Sequence, residues 1–148
     1  MSRRISFRGL LADNGQERIS LTTRNGKTGY KIVKFELMGN TPGAALSDME
    51  AVTKIYKTLQ STVTAEINFS DNRLLAAGIY TQNSSSFNYP SSLQVVFDNE
   101  IFNQDIYITC SDVSGNSKAC NYYLELEVFD LALDEATVAT LKDIRNSD

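Results

Sequence analysis

At 148 residues the chain has the length of one domain, and 42% hydrophobic with 22% charged residues excludes a disordered chain. There is no histidine, no tryptophan and only two cysteines, which excludes a histidine-based triad, a histidine general base, His-ligated haem or zinc, and a Cys₄ zinc site. The net charge of −4 hides a separation: residues 1–34 hold eight basic residues against Asp13 and Glu17, whereas residues 98–148 hold eleven acids against three basic residues.

The segment Met1–Arg8 is basic but is followed by no apolar run of the length a secretory signal needs. No stretch is apolar enough to span a membrane. The expectation is a protein made in the cytoplasm with no membrane partner.

Along the chain the dominant pattern is alternation of apolar and polar residues, the period of a half-buried strand. Short strands fit Arg4–Arg8, Arg18–Thr23 and Leu74–Thr81. Val33, Phe35 and Leu37 alternate with Lys34 and Glu36, and Val63, Ala65, Ile67 and Phe69 alternate with Thr64, Glu66 and Asn68. Val52–Ser61 fits helical spacing at Val52, Ile55, Tyr56 and Leu59, yet its β-favouring side chains lead to a strand assignment. Leu93, Val95 and Phe97 share one face of a further strand; Ile106, Ile108 and Cys110 share another, as do Cys120, Tyr122, Leu124, Leu126 and Val128. Turn formers separate the runs, among them Asp13-Asn14-Gly15, Asn25-Gly26, Asp71-Asn72 and Ser114-Gly115-Asn116. The period then changes. Asp134 caps a helix over residues 134–145 that carries Val138, Leu141 and Ile144 along one side.

About nine strands and one terminal helix, without β-α-β alternation, predict an all-β fold: an antiparallel two-sheet β-sandwich of jelly-roll type with a short C-terminal α-helix. One domain covers residues 1–148. A hairpin centred on Gly115 would set Cys110 opposite Cys120 as a cross-strand pair facing the core. Without a secretory signal, two free thiols are expected rather than a disulfide.

Candidate chemistry is sparse. Glu125 and Glu127 lie on one strand face and have the spacing of a glycosidase pair, but their alternation with core residues is that of a solvated face. Asp112-Val-Ser-Gly-Asn has the oxygens of a calcium loop without its further acids or closing glutamate, and an Asx turn accounts for it. No phosphate-binding glycine loop and no serine-nucleophile motif occurs. The expectation is therefore a non-enzyme with no metal and no cofactor. Nucleic acid is not an expected partner, since only Phe7 and Tyr30 interleave the basic N-terminal quarter.

Two binding readings remain. The longest polar loop, residues 82–92, is flanked by Tyr80, Phe87 and Tyr89, which would stack on a sugar or meet a receptor. The charge separation instead suggests that a basic end with Arg3, Arg4 and Arg8 meets a neighbour's acidic end with Glu125 and Glu127. Leu141 and Ile144 would dock on that neighbour or on their own sandwich. Folding that mixes the charges within one chain would remove the electrostatic argument.

Whole segments resemble small structural proteins of marine and environmental bacteriophages. These segments are Leu10–Thr23 (LLADNGQERISLTT), Tyr30–Met38 (YKIVKFELM), Phe69–Tyr80 (FSDNRLLAAGIY), Val96–Glu100 (VFDNE), Asn121–Glu127 (NYYLELE) and Ala136–Asn146 (ATVATLKDIRN). The resemblance implies a capsid or capsid-decorating β-sandwich located in the virion, repeated many times, with itself and other virion proteins as partners. It carries no functional residues onto this chain.

Overall fold

The computed structural model describes residues 3–21, 27–41, 48–82 and 90–130. Among them are eight strands: β1 (Arg3–Leu11), β2 (Gly15–Ile19), β3 (Thr28–Gly39), β4 (Met49–Tyr56), β5 (Leu74–Gln82), β6 (Pro90–Phe97), β7 (Ile106–Asp112) and β8 (Cys120–Asp130). They form two antiparallel sheets, one of three strands in the order β1-β8-β3 and one of five in the order β2-β7-β4-β5-β6. The run β7-β4-β5-β6 is a Greek key: three consecutive strands lie side by side and the fourth returns beside the first. The expected all-β, two-sheet architecture is therefore present. The helix over residues 134–145, with Leu141 and Ile144, lies outside the described residues.

Alternation explains the small sheet. In β8, Cys120, Tyr122, Leu124, Leu126 and Val128 are buried while the residues between them are partly exposed. Tyr30, Ile32, Phe35 and Leu37 of β3 join the same core, with Ile5 and Phe7 of β1 packed against it. From the large sheet come Ile19, Ala51, Ile55, Tyr80, Ile106 and Ile108. Leu124, Leu126, Ile106 and Ile108 are all fully buried. Complete burial of such side chains stabilises the fold by about 1.5–3 kcal/mol each.

Three sequence expectations are corrected. The run Val63–Phe69 is not a strand. Both sides of β4 are already taken by β5 and β7, so the residues between β4 and β5 cross the outer face of the large sheet as a strap. Val63, Ala65 and Ile67 remain half-buried beneath it, so the alternation is real but has no ladder. The strap is fastened by Lys54, whose ammonium donates to Thr64 Oγ1 at 3.3 Å and to the Glu66 carbonyl at 2.5 Å, 5.4 Å above the Tyr56 ring. Gln16 clamps it at the start: its amide donates to the Gln60 carbonyl and accepts the Gln60 N–H, both at 2.9 Å. Second, the expected strand Arg18–Thr23 begins earlier, and β2 ends at Ile19.

Third, Cys110 and Cys120 are not cross-strand neighbours. β7 pairs with β2 and β4, and β8 with β1 and β3, so residues 113–119 form a corner between sheets rather than a hairpin. Asp112 holds that corner. One carboxylate oxygen accepts the Ser114 and Glu50 N–H groups at 3.0 and 3.1 Å, and the other accepts Lys118 N–H at 2.8 Å. Both cysteines are free, buried thiols that are neighbours in the interior, where the Cys110 thiol, together with burial, holds the Cys120 thiol far above its ordinary range.

The sheets are in tight contact at two glycines. A Cβ on Gly39 would lie 2.7 Å from the Tyr80 ring and 3.1 Å from the Met49 sulfur, and one on Gly78 would lie 2.6 Å from a Leu37 methyl. A packed ring cannot rotate away as a methyl does, so Gly39→Ala is expected to destabilise the protein by about 1–3 kcal/mol, read from the urea midpoint. Thiol titration is expected to find two reactive thiols in denaturant without reductant and none in the native protein.

Candidate functional site

The outer face of the three-stranded sheet carries the charged residues singled out in the sequence. The register sets Arg4 and Lys31 on either side of Glu127, Ser6 and Lys34 on either side of Glu125, and Arg8 and Glu36 on either side of Tyr123. Arg4 reaches diagonally to Glu125 at 3.3 Å, and Lys31 lies 3.7 Å from Glu127. Lys34 stands 5.7 Å from the Tyr123 ring centre, and Tyr123 donates to Glu125 at 3.2 Å. The basic and acidic ends of the sequence thus meet inside one chain. Arg3 and Arg8 are exposed and form no ion pair among the described residues. Exposed pairs of this kind are worth about 0–1 kcal/mol each.

Of the three aromatics expected at the ligand loop, Tyr80 is the one among the described residues. Tyr80 is 1% exposed, packed on Gly39, with its hydroxyl donating to Gln82 Oε1 at 3.1 Å. Burial raises its pKa above the ordinary tyrosine range. It belongs to the core. Phe87 and Tyr89 lie outside the described residues.

The feature that sequence reasoning missed lies along β6. Leu93, Val96 and Phe97 are 51%, 47% and 37% exposed, and Phe69 at the end of the strap is 70% exposed. The alternation of Leu93, Val95 and Phe97 implies a buried face, yet only Val95 packs on the core, beside Leu37 over Gly78. Next to this strip a cleft of about 480 Å³ is lined by Phe69, Val96 and Phe97 with the acids Asp71, Asp98 and Glu100. Its wall is rigid. The buried ammonium of Lys57 pairs with Glu100 at 2.9 Å, and Arg73 pairs with Asp71 at 2.9 Å. The Arg73 hydrogen bond holds the Asp71 carboxyl below the ordinary carboxylate range. A second depression, of about 540 Å³, is lined by Arg8, Leu10, Glu36, Met38, Asn121 and Tyr123 on the small sheet.

Among the described residues, no three His, Cys, Asp or Glu side chains are grouped to hold a metal. Nor is any helix among them long and apolar enough to cross a membrane. Comparison of the sequence with protein-family models and with curated proteins finds no match in either.

Two carboxylates link stability to pH. Burial pushes the Asp112 pKa up, but the amides of Ser114, Lys118 and Glu50 outweigh it and hold it below the ordinary range, as Arg73 does for Asp71. A depressed carboxylate adds stability that is complete above its unfolded value of about 3.9 and is lost as pH falls through its folded value. Asp112→Asn is therefore expected to lower stability at neutral pH and to flatten the loss below about pH 4, measured by urea unfolding at several pH values.

Proposed function

We propose that this protein is a non-enzymatic structural subunit of a virus particle, assembling with copies of itself and with other virion proteins. The observation that supports the reading best is the apolar strip of Leu93, Val96, Phe97 and Phe69 on the edge of the large sheet. Monomeric proteins rarely leave contiguous apolar surface at an edge strand, and such strips mark contacts between chains. The segmental resemblance to phage structural proteins points the same way. In this reading the fold is of jelly-roll type, and the helix expected at residues 134–145 adds Leu141 and Ile144 to the contacts between neighbours.

The charged face plays a smaller part than the sequence suggested. Arg4 and Lys31 are already engaged by Glu125 and Glu127 of the same chain, so complementary ends are not the main attraction. Association through an apolar strip is weakened little by salt, unlike contact between opposite charges. Light scattering behind size-exclusion chromatography is expected to show mass rising with protein concentration and retained at about 0.5 M salt, where the Debye length falls well below ~8 Å. A monomer at every concentration overturns the reading. Negative-stain images of the assembled material are expected to show particles of uniform symmetry.

A further inference from the structure

The two sheets have four edge strands, and three of them are charged. β1 carries Arg3, Arg4 and Arg8; β2 is short and carries Glu17 and Arg18; β3 carries Lys31, Lys34 and Glu36 and a bulge between Ile32 and Lys34. Charge, shortness and bulges are the devices that prevent edge-to-edge pairing. β6 differs: Pro90–Phe97 contains no charged residue, and its single bulge lies at the Gln82–Pro90 end. Its remaining length is regular, from Ser92 opposite Thr81 to Phe97 opposite Ala76.

The phase of the ladder identifies the groups left over. Asp98 N–H donates to the Leu75 carbonyl at 2.9 Å, so Val96 and Gln94, two and four residues back, also bond toward β5. Leu93, Val95 and Phe97 therefore direct their N–H and C=O groups away from β5, and no described strand receives them.

We propose that β6 pairs, antiparallel and about a two-fold axis at Val95, with β6 of a second copy, joining two five-stranded sheets into one. The proposal rests on the self-association reading and names the surface and the partner. The strand is self-complementary about that point. Leu93 falls opposite Phe97 of the second copy, Val95 opposite its counterpart, and Val96 opposite Gln94. Every leftover N–H and C=O of Leu93, Val95 and Phe97 meets a counterpart, and the exposed side chains of Leu93 and Phe97 cover one another across the seam.

Charge selects the direction. Asp98 follows the Phe97 end of the strand, and its neighbours Asp71 and Glu100 are already held by Arg73 and Lys57. A parallel pairing would bring the two Asp98 carboxylates together. The antiparallel pairing sets Asp98 opposite Ser92 of the second copy. The two Asp98 residues then stand about 20 Å apart at ~3.3 Å per residue, beyond a Debye length of ~8–10 Å.

The test is residue-resolved amide hydrogen exchange on the full chain, with light scattering on the same samples, from about 10 μM to about 1 mM, which brackets a weak pairing. The expected result is exchange at Leu93, Val95 and Phe97 that slows about tenfold or more as the mass rises from monomer to dimer and beyond. Val96→Lys, a substitution at an exposed position, is expected to keep the monomer's circular dichroism and abolish the slowing, because it gives the edge the charge that the other three possess. Association without slowing at these amides, or slowing unchanged by Val96→Lys, overturns the pairing while leaving self-association standing. Slow exchange in a monomer means that another part of the same chain covers the edge, and also overturns it. A monomer with fast exchange at every concentration overturns both the pairing and the self-association reading.

Discussion

The constraint on which the rest of the structure depends is the mismatch in width between a sheet of three strands and a sheet of five. A narrow sheet cannot cover a wide one, and β3 meets β5 and β6 where Gly39 and Gly78 admit Tyr80 and Leu37. Beyond that crossing the inner row of β6 emerges into solvent. On its other face the wide sheet is covered by the strap between β4 and β5, so Val52, Lys54 and Tyr56 are buried although they point away from the core. β4 is thus enclosed on both faces, whereas β8 has one dry face and one wet face.

That difference accounts for what was legible in the sequence. A strand with one wet face writes its period into its residues, and β1, β3 and β8 were readable for that reason. β4 has no such contrast, since Met49 and Ala51–Tyr56 are all buried; its residues therefore fit helical and strand spacing almost equally. The Val63–Phe69 run shows the opposite failure. It alternates because it lies between the sheet and water, not because it pairs. Its polar backbone is met in part by a lysine whose role depends on the fold.

The candidate site was harder to read than the fold because exposure is not local. Leu93, Val95 and Phe97 have the pattern of a buried face, and how far they are covered is decided by a strand roughly sixty residues earlier. Cys110 and Cys120 stand symmetrically about Gly115, as in a hairpin, yet Asp112 collects amides from both sides of the corner and sends the chain into the other sheet. Their burial was legible and their partners were not. The charges misled in the same way: a polarity along the sequence becomes a mosaic once β8 lies between β1 and β3.

The central place of β8 also bears on the newly made chain at the ribosome. Leu11 waits for Cys120 and Arg3 for Val128, a delay of several seconds or more at about 5–20 residues per second. Through that interval β1 and β3 are naked apolar strands with no sheet to join. Their side chains Arg3, Arg4, Arg8, Lys31 and Lys34 all repel one another. Like charge on unfinished strands acts as a gatekeeper against premature aggregation. These cations, of which Arg4, Lys31 and Lys34 find acidic partners in the finished sheet, keep its two outer strands, and those of neighbouring nascent chains, apart until the acidic strand arrives.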